Sequence, residues 1–425
     1  MRGSMDKFII YGGNRLKGQV RVSGSKNAAL PVLCSAILSD GVCTFTNVPE
    51  LDDIETICRV LGHLGITCSR PEKNTVVLDP TRISSHEAPY DLVKKMRASI
   101  LVLGPLLARY GKAKVSLPGG CAIGVRPIDM HLKAFAKMGA EIDLSHGYVV
   151  ATADRLKGAR IVFDNTTVGG TENVMMAAVL AEGTTVIDGA AMEPEVVDLA
   201  GVLKAMGARI EGAGESTIVI EGVPSLAGAR YEVIPDRIET GTFLVAAGIT
   251  RGKLTITGGR ADHVTAVIDK LLEMGLDISE GQDGTIEVNG DRDLKAVTVD
   301  TVPYPGFPTD MQAQIMSLAC VADGVSSITE NIFENRFMHV PELMRMGASL
   351  EEKGRTVIVR GIERFQGASV MATDLRASAS LVLAALNASG YTEIRRIYHL
   401  DRGYEGLDRK LQNLGAEVSR EKGGL

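Results

Sequence analysis

The 425-residue chain has no long apolar run; the longest, Ala98 to Ala108, is broken by Gly104 and Pro105. That is far too short to cross a bilayer, so no transmembrane helix is expected. Positive charge is not in excess either. There are 46 Lys and Arg against 52 Asp and Glu, a formal net charge of -6, which excludes a chain-wide attraction to nucleic acid or an anionic membrane. The six cysteines contain no CxxC pair, and no His/Cys cluster or HExxH spacing occurs. A disulfide framework and a metal site are therefore not expected, and the thiols should be reduced. Neither GxGxxG nor a GxxxxGK stretch followed by Ser or Thr is present, which argues against dinucleotide and P-loop chemistry; no cofactor is expected. The start, Met-Arg-Gly-Ser before Met5, has no apolar signal-peptide core. Residues 1–4 read as an appended scar, and a cytoplasmic protein is expected.

Glycine is abundant, at 47 residues, and much of it belongs to one phrase. "LGHLGITC", "AKMGAEID", "KAMGARIE", "LEMGLDIS", "MRMGASLE" and "LQNLGAEV" carry central glycines at 65, 139, 207, 275, 347 and 415, spaced by 74, 68, 68, 72 and 68 residues. Such regularity marks a sixfold repeat. Each copy reads as a helix, a helix-ending glycine and an alternating strand. A second helix class, such as "NAALPVLCSAILSDG" and "IETGTFLVAAGITRG", is apolar almost all round and belongs in a domain centre. Short strands such as "TTVID" follow these helices, so the unit is strand, helix, strand, helix, strand. Six units suit two domains of three: residues 26–233, and residues 5–25 with 234–425, crossing near Ser25 and Val233, with sheets outside and apolar helices inside.

Function should sit where charge interrupts the repeat. "SGSKNAALP" puts Lys26 and Asn27 at the first turn of a buried helix, where free amides and the dipole favour anions. "KKMRAS" and "TDLRAS" put Arg97 and Arg376, the latter beside Asp374, at equivalent helix starts, where a guanidinium fork suits phosphate or carboxylate. "FPTDMQAQ" places Asp310 at an N-cap or first turn, as an ordinary cap or as a carboxylate able to take a hydroxyl proton. Glu334, Arg336, Asp401 and Arg402 lie in loops between repeat elements. Several cations at helix starts imply a multiply anionic ligand. Cys121, between glycines in "LPGGCAIGVRP" and near Arg126, differs from the other cysteines, since a cation and exposed amides lower a thiol pKa.

Together with "VSLPGGCAIGVRPIDMHL", "PDRIETGTFLVAA", "ENRFMHVPEL" and "RIYHLDRGYEG", these motifs resemble the UDP-N-acetylglucosamine 1-carboxyvinyltransferases, enolpyruvyl transferases of the EPSP synthase superfamily that act early in peptidoglycan synthesis. The resemblance covers Met5 to the C-terminus. It implies an α/β fold of two inside-out domains, each of three β-α-β-α-β units, with the active site in the cleft between them. It further implies transfer of the enolpyruvyl group of phosphoenolpyruvate to the 3'-hydroxyl of UDP-N-acetylglucosamine, with phosphate released. Carried over motif by motif, Cys121 would protonate the phosphoenolpyruvate methylene and Asp310 would take the hydroxyl proton. Lys26, Arg126 and Arg402 would clamp phosphoenolpyruvate. Asn27, Arg97, the run Arg126, Pro127, Ile128, Asp129 and Met130, the run Asn165, Thr166, Thr167 and Val168, and Ile332 would bind the sugar nucleotide. Asp374, Arg336 and Arg376 would support the intermediate and loop closure. "NTTVGGT" departs from relatives that carry a lysine there, and having Cys rather than Asp at 121 implies inactivation by the epoxide fosfomycin.

Three other readings stay open: the shikimate-pathway enolpyruvyl transferase, which should lack the "PGGCAIGVRP" loop; a sugar-nucleotide-binding relative without turnover, which should lack Cys121, Asp310 or part of the basic clamp; and a repeat scaffold for protein partners, which leaves the helix-start cations unexplained.

Overall fold

Each repeated glycine ends its helix for a stereochemical reason. Gly65, Gly139, Gly207, Gly275, Gly347 and Gly415 all have positive φ, between 90 and 109°, a region that costs any residue with a Cβ. The amide after each glycine then bonds back five residues: Ile66 to Leu61, Ala140 to Phe135, Ala208 to Leu203, Leu276 to Leu271, Ala348 to Leu343 and Ala416 to Leu411, at 2.9–3.1 Å. This is the Schellman closure, which satisfies carbonyls the helix would otherwise leave open. The helices so closed are Asp52–Leu64, Asp129–Lys137, Pro194–Ala205, Thr265–Glu273, Val340–Arg345 and Leu407–Asn413.

The structure is a computed structural model that describes residues 6–94, 96–117 and 128–422, without the Arg97 side chain. Six four-stranded sheets share one plan among the described residues. In the third, Arg160–Val162 runs parallel to Thr184–Asp188 through the helix Val168–Ala178; Pro194–Ala205 follows, and Arg209–Glu211 and Thr217–Glu221 close an antiparallel pair. Each unit thus holds one strand more than the sequence pattern separates. The extra strand, "TIVIE" here, is short and alternates buried with exposed residues, so only one face of the sheet meets the core.

The helices between parallel strands are buried along most of their length. All thirteen residues of Arg237–Ile249 are buried, as are all eight of Gln312–Ala319. Ser25, Thr167, Asp236 and Asp374 cap four of these central helices, accepting from first-turn amides at 2.8–3.2 Å. Such a cap contributes about 1 kcal/mol.

Two compact units result. Of the described residues, those between 24 and 234 form one, and residues 6–23 with 235–422 form the other. In the first, Arg230–Glu232 joins the sheet of Cys43–Thr46. In the second, Lys17–Arg21 lies parallel to Lys253–Thr257, and Lys7–Tyr11 sits between Tyr391–Arg395 and Glu417–Glu421. Each unit has its own core, built around Phe45 and Phe135 in one and Phe8, Phe243 and Phe365 in the other. Among the described residues no helix is long and apolar enough to cross a membrane.

Candidate active site

In the unit of residues 235–422, Asp310 does not cap a helix. It stands in the turn Thr309–Met311, just before Gln312–Ala319, and its carboxylate points to two arginines. Arg336 donates from Nη2 to Oδ1 at 2.7 Å, and Arg376 donates from Nε and Nη2 to Oδ2 at 3.1 and 2.9 Å. The guanidiniums are buried, with 6% and 3% of Arg336 and Arg376 exposed. Burial alone would raise the Asp310 pKa, but Arg376 and Arg336 outweigh it and hold the carboxyl well below the usual range. The group is therefore an ionised carboxylate at neutral pH. Arg376 Nη1 is buried without a hydrogen-bond partner among the described residues, a costly state for a charged donor and a ready contact for an anion.

Several side chains that the sequence reading passed over hold this group in place. Thr309 Oγ1 accepts from Arg336 Nη1 and donates to Glu330 Oε2, both at 2.8 Å. The other Glu330 oxygen accepts from the amides of Ile332 and Phe333 at 2.9 and 3.0 Å, which ties Ile332 to the cluster. Gln314 Nε2 donates to the Asp310 carbonyl at 2.9 Å and to the Tyr404 hydroxyl at 3.3 Å. The Tyr404 ring lies 5.6 Å from the Arg376 guanidinium. His339 is buried with neither ring nitrogen hydrogen-bonded among the described residues, and burial pushes it down to about 4, so it is neutral at pH 7. Thr309 and Gln314 lie within "FPTDMQAQ", His339 within "ENRFMHVPEL" and Tyr404 within "RIYHLDRGYEG", but nothing local separates them from their neighbours in those stretches, because their partners stand on other elements.

Asp374 spends Oδ1 on the amides of Arg376 and Ala377, as the cap of Leu375–Asn387. It thereby aims the first turn that carries Arg376. Arg402 ends the turn Ile397–Arg402, which packs on that helix. Asp401 turns elsewhere and pairs with Arg420 at 2.8 Å. Glu334 is exposed.

In the unit of residues 24–234, Lys26 opens the helix Lys26–Ser35, with Ser25 as its cap and Asn27 next to it. Its Nζ reaches Asp53 Oδ2 at 3.3 Å, from the first turn of Asp52–Leu64. Asn165 and Thr166 are exposed, Thr167 caps the helix that Val168 begins, and Gly170 donates to the Thr167 hydroxyl at 3.2 Å. Ile128 and Met130 are half-buried against the core, while Asp129 is exposed and pairs with Lys133 at 3.3 Å. Three buried acids, Glu172, Glu193 and Glu195, also went unremarked in sequence; burial, then Glu195 and Glu193, raise Glu172 well above the carboxylate range. Cys121, Arg126, Pro127 and the Arg97 side chain lie outside the described residues.

The EPSP synthase (3-phosphoshikimate 1-carboxyvinyltransferase) family model matches residues 10–411. The chain belongs to this family and is an enolpyruvyl (carboxyvinyl) transferase. Within it, a relative from Trichlorobacter lovleyi named UDP-N-acetylglucosamine 1-carboxyvinyltransferase is 58% identical over 98% of this chain and 99% of its own. One of the same name from Cellvibrio japonicus is 57% identical over 98% of this chain and 100% of its own. Among solved structures, the enolpyruvyl transferase NikO from Streptomyces tendae superposes with a TM-score of 0.87 at 27% identity, covering 99% of this chain and 100% of that one. An EPSP synthase from Acinetobacter baumannii shares the fold, with a TM-score of 0.76 at 21% identity over 97% of this chain and 100% of its own.

Proposed function

We propose that this enzyme transfers the enolpyruvyl group of phosphoenolpyruvate to the 3'-hydroxyl of UDP-N-acetylglucosamine, releasing phosphate, the first committed step of peptidoglycan synthesis in the cytoplasm. The observation that carries the reading is the Asp310 carboxylate gripped by two buried arginines, one with a donor that has no partner among the described residues. The names of relatives that match nearly the whole chain support the acceptor.

The chemistry needs a proton on the phosphoenolpyruvate methylene carbon, which leaves an oxocarbenium-like centre at the neighbouring carbon. The sugar hydroxyl attacks that carbon and gives its proton to Asp310; loss of a methyl proton and of phosphate then restores the double bond. Cys121 is the proposed donor, and Lys26, Arg126 and Arg402 the proposed clamp on the phosphate and carboxylate. Asn27, Arg97, Arg126 to Met130, Asn165 to Val168 and Ile332 form the proposed nucleotide contacts. A carboxylate held well below its usual range is a weak base. Asp310 gains basicity when anionic substrate draws Arg376 or Arg336 away from it, so proton removal is tied to substrate binding.

The test is phosphate release from phosphoenolpyruvate with UDP-N-acetylglucosamine, with shikimate 3-phosphate, and with neither. Release with the sugar nucleotide alone is expected; release with shikimate 3-phosphate instead would transfer the enzyme to the other branch of the family. Fosfomycin should alkylate the native enzyme and spare Cys121→Asp.

A further inference from the structure

Two cysteines outside the proposed site stand on elements that pack against each other. Cys58 lies on the inward side of Asp52–Leu64 and is 7% exposed; Cys68 is the middle residue of Thr67–Ser69, the edge strand of its sheet, and is half-buried. Both are free thiols that pack into the same core.

An ion pair sets their register. Arg70 Nη2 meets Glu55 Oε1 at 2.6 Å. Glu55 and Cys58 are three apart on a helix, hence on one face, and Cys68 and Arg70 are two apart along extended chain, hence on one side. Joining Glu55 to Arg70 therefore brings Cys58 over Cys68. The nearby Cys58 thiol lowers Cys68 to about 7, with Arg70 assisting against burial and Glu55, while the Cys68 thiol and burial raise Cys58. One partner is thus a partly ionised, accessible nucleophile and the other a protonated resolving thiol, the arrangement that favours a disulfide over further oxidation. No group of three or more His, Cys, Asp or Glu suited to a metal occurs among the described residues.

We propose that Cys58 and Cys68 form a reversible oxidation site, a dithiol that a peroxide closes into a disulfide fastening the outer helix to the edge strand. The Cys68 thiolate attacks one peroxide oxygen, the O–O bond breaks, and the departing hydroxide leaves as water with the thiol's proton. The Cys58 sulfur then displaces the sulfenic hydroxyl, which leaves as a second water with the Cys58 proton as the S–S bond forms. Two thiols are oxidised and one peroxide is reduced.

The experiment treats the reduced full-length protein with hydrogen peroxide, then blocks free thiols and digests with trypsin, which cuts after Arg59 between the two cysteines. The expected product is a pair of peptides joined through Cys58 and Cys68 and separated by dithiothreitol. Closing this short loop should raise the thermal midpoint by several degrees, reversibly. In Cys58→Ser, or Cys58→Ala where serine disturbs packing, Cys68 should stop at the sulfenic acid, trapped by dimedone, with no midpoint shift. Cys68 found over-oxidised or joined to another cysteine while Cys58 stays free would overturn the proposal. So would both remaining reduced under peroxide that consumes Cys121.

Discussion

Lys26 and Arg376 occupy comparable places, each in the first turn of a buried central helix, yet their surroundings differ. Arg376 meets Asp310 through two donors at 3.1 and 2.9 Å, and Arg336 holds the other oxygen of the same carboxylate. Lys26 has its salt bridge to Asp53 at 3.3 Å, from a neighbouring outer helix. The repeat supplies a cation at a helix start in both units. What that cation does is decided by a partner 66 positions away in one case and 27 in the other. A forked pair is geometrically fixed and strong, whereas an ammonium is a point charge on a flexible stem that turns readily toward a ligand oxygen.

Breaking the strong side of this comparison should have the largest effect. Asp310→Asn removes the proton acceptor and should lower kcat by about 1000-fold in a phosphate-release assay; a rate near that of the native enzyme would remove Asp310 from the mechanism. Asp310→Ala should in addition cost about 3 kcal/mol in urea unfolding, because two buried guanidiniums lose their counter-charge. Lys26→Ala should act mainly on phosphoenolpyruvate, lowering kcat/KM by roughly 10- to 100-fold.

A double-mutant cycle sharpens the contrast. Coupling between Asp310 and Arg376 should reach about 3 kcal/mol, and that between Lys26 and Asp53 about 1 kcal/mol; equal values would show that the forked geometry confers nothing. The acid limb supplies an independent check. A carboxyl whose folded pKa is depressed adds stability that is complete above its unfolded pKa and is lost as pH falls toward the folded value. The advantage of native protein over Asp310→Asn should therefore be constant at neutral pH and shrink below the ordinary carboxylate range.

The smallest effects separate the repeats themselves. A Cβ at Gly139, Gly207 or Gly415 would meet nothing within 4 Å, so Ala there should cost only the left-handed conformation, about 1 kcal/mol each. At Gly65 the same Cβ would lie 2.5 Å from the Arg82 carbonyl, and Gly65→Ala should cost more than the others in thermal melts.

The glycine pattern was legible in sequence because a Schellman closure is local: six residues contain both the donor and the acceptor. Buried helices were legible because they are apolar all round. The fourth strand of each sheet was not, since a short alternating run after a glycine declares itself only by pairing. Asp310, Arg336 and Arg376 could each be singled out as charges interrupting the repeat, but not as one cluster. Thr309, Glu330, Gln314, Tyr404 and His339 carry no such mark, and their roles depend on neighbours as much as 162 residues away.

By itself, then, the sequence determined the period, the helix ends, the division into outer and central helices, and which cations stand at helix starts. All of these follow from contacts within one or two turns of chain. Only the tertiary structure decided that Asp310 faces two arginines rather than its own helix, that Asp374 caps and aims Arg376, that Asp401 serves Arg420, and that Cys58 meets Cys68. Those pairings join separate elements, and their strength comes from burial, which no single stretch of chain can supply.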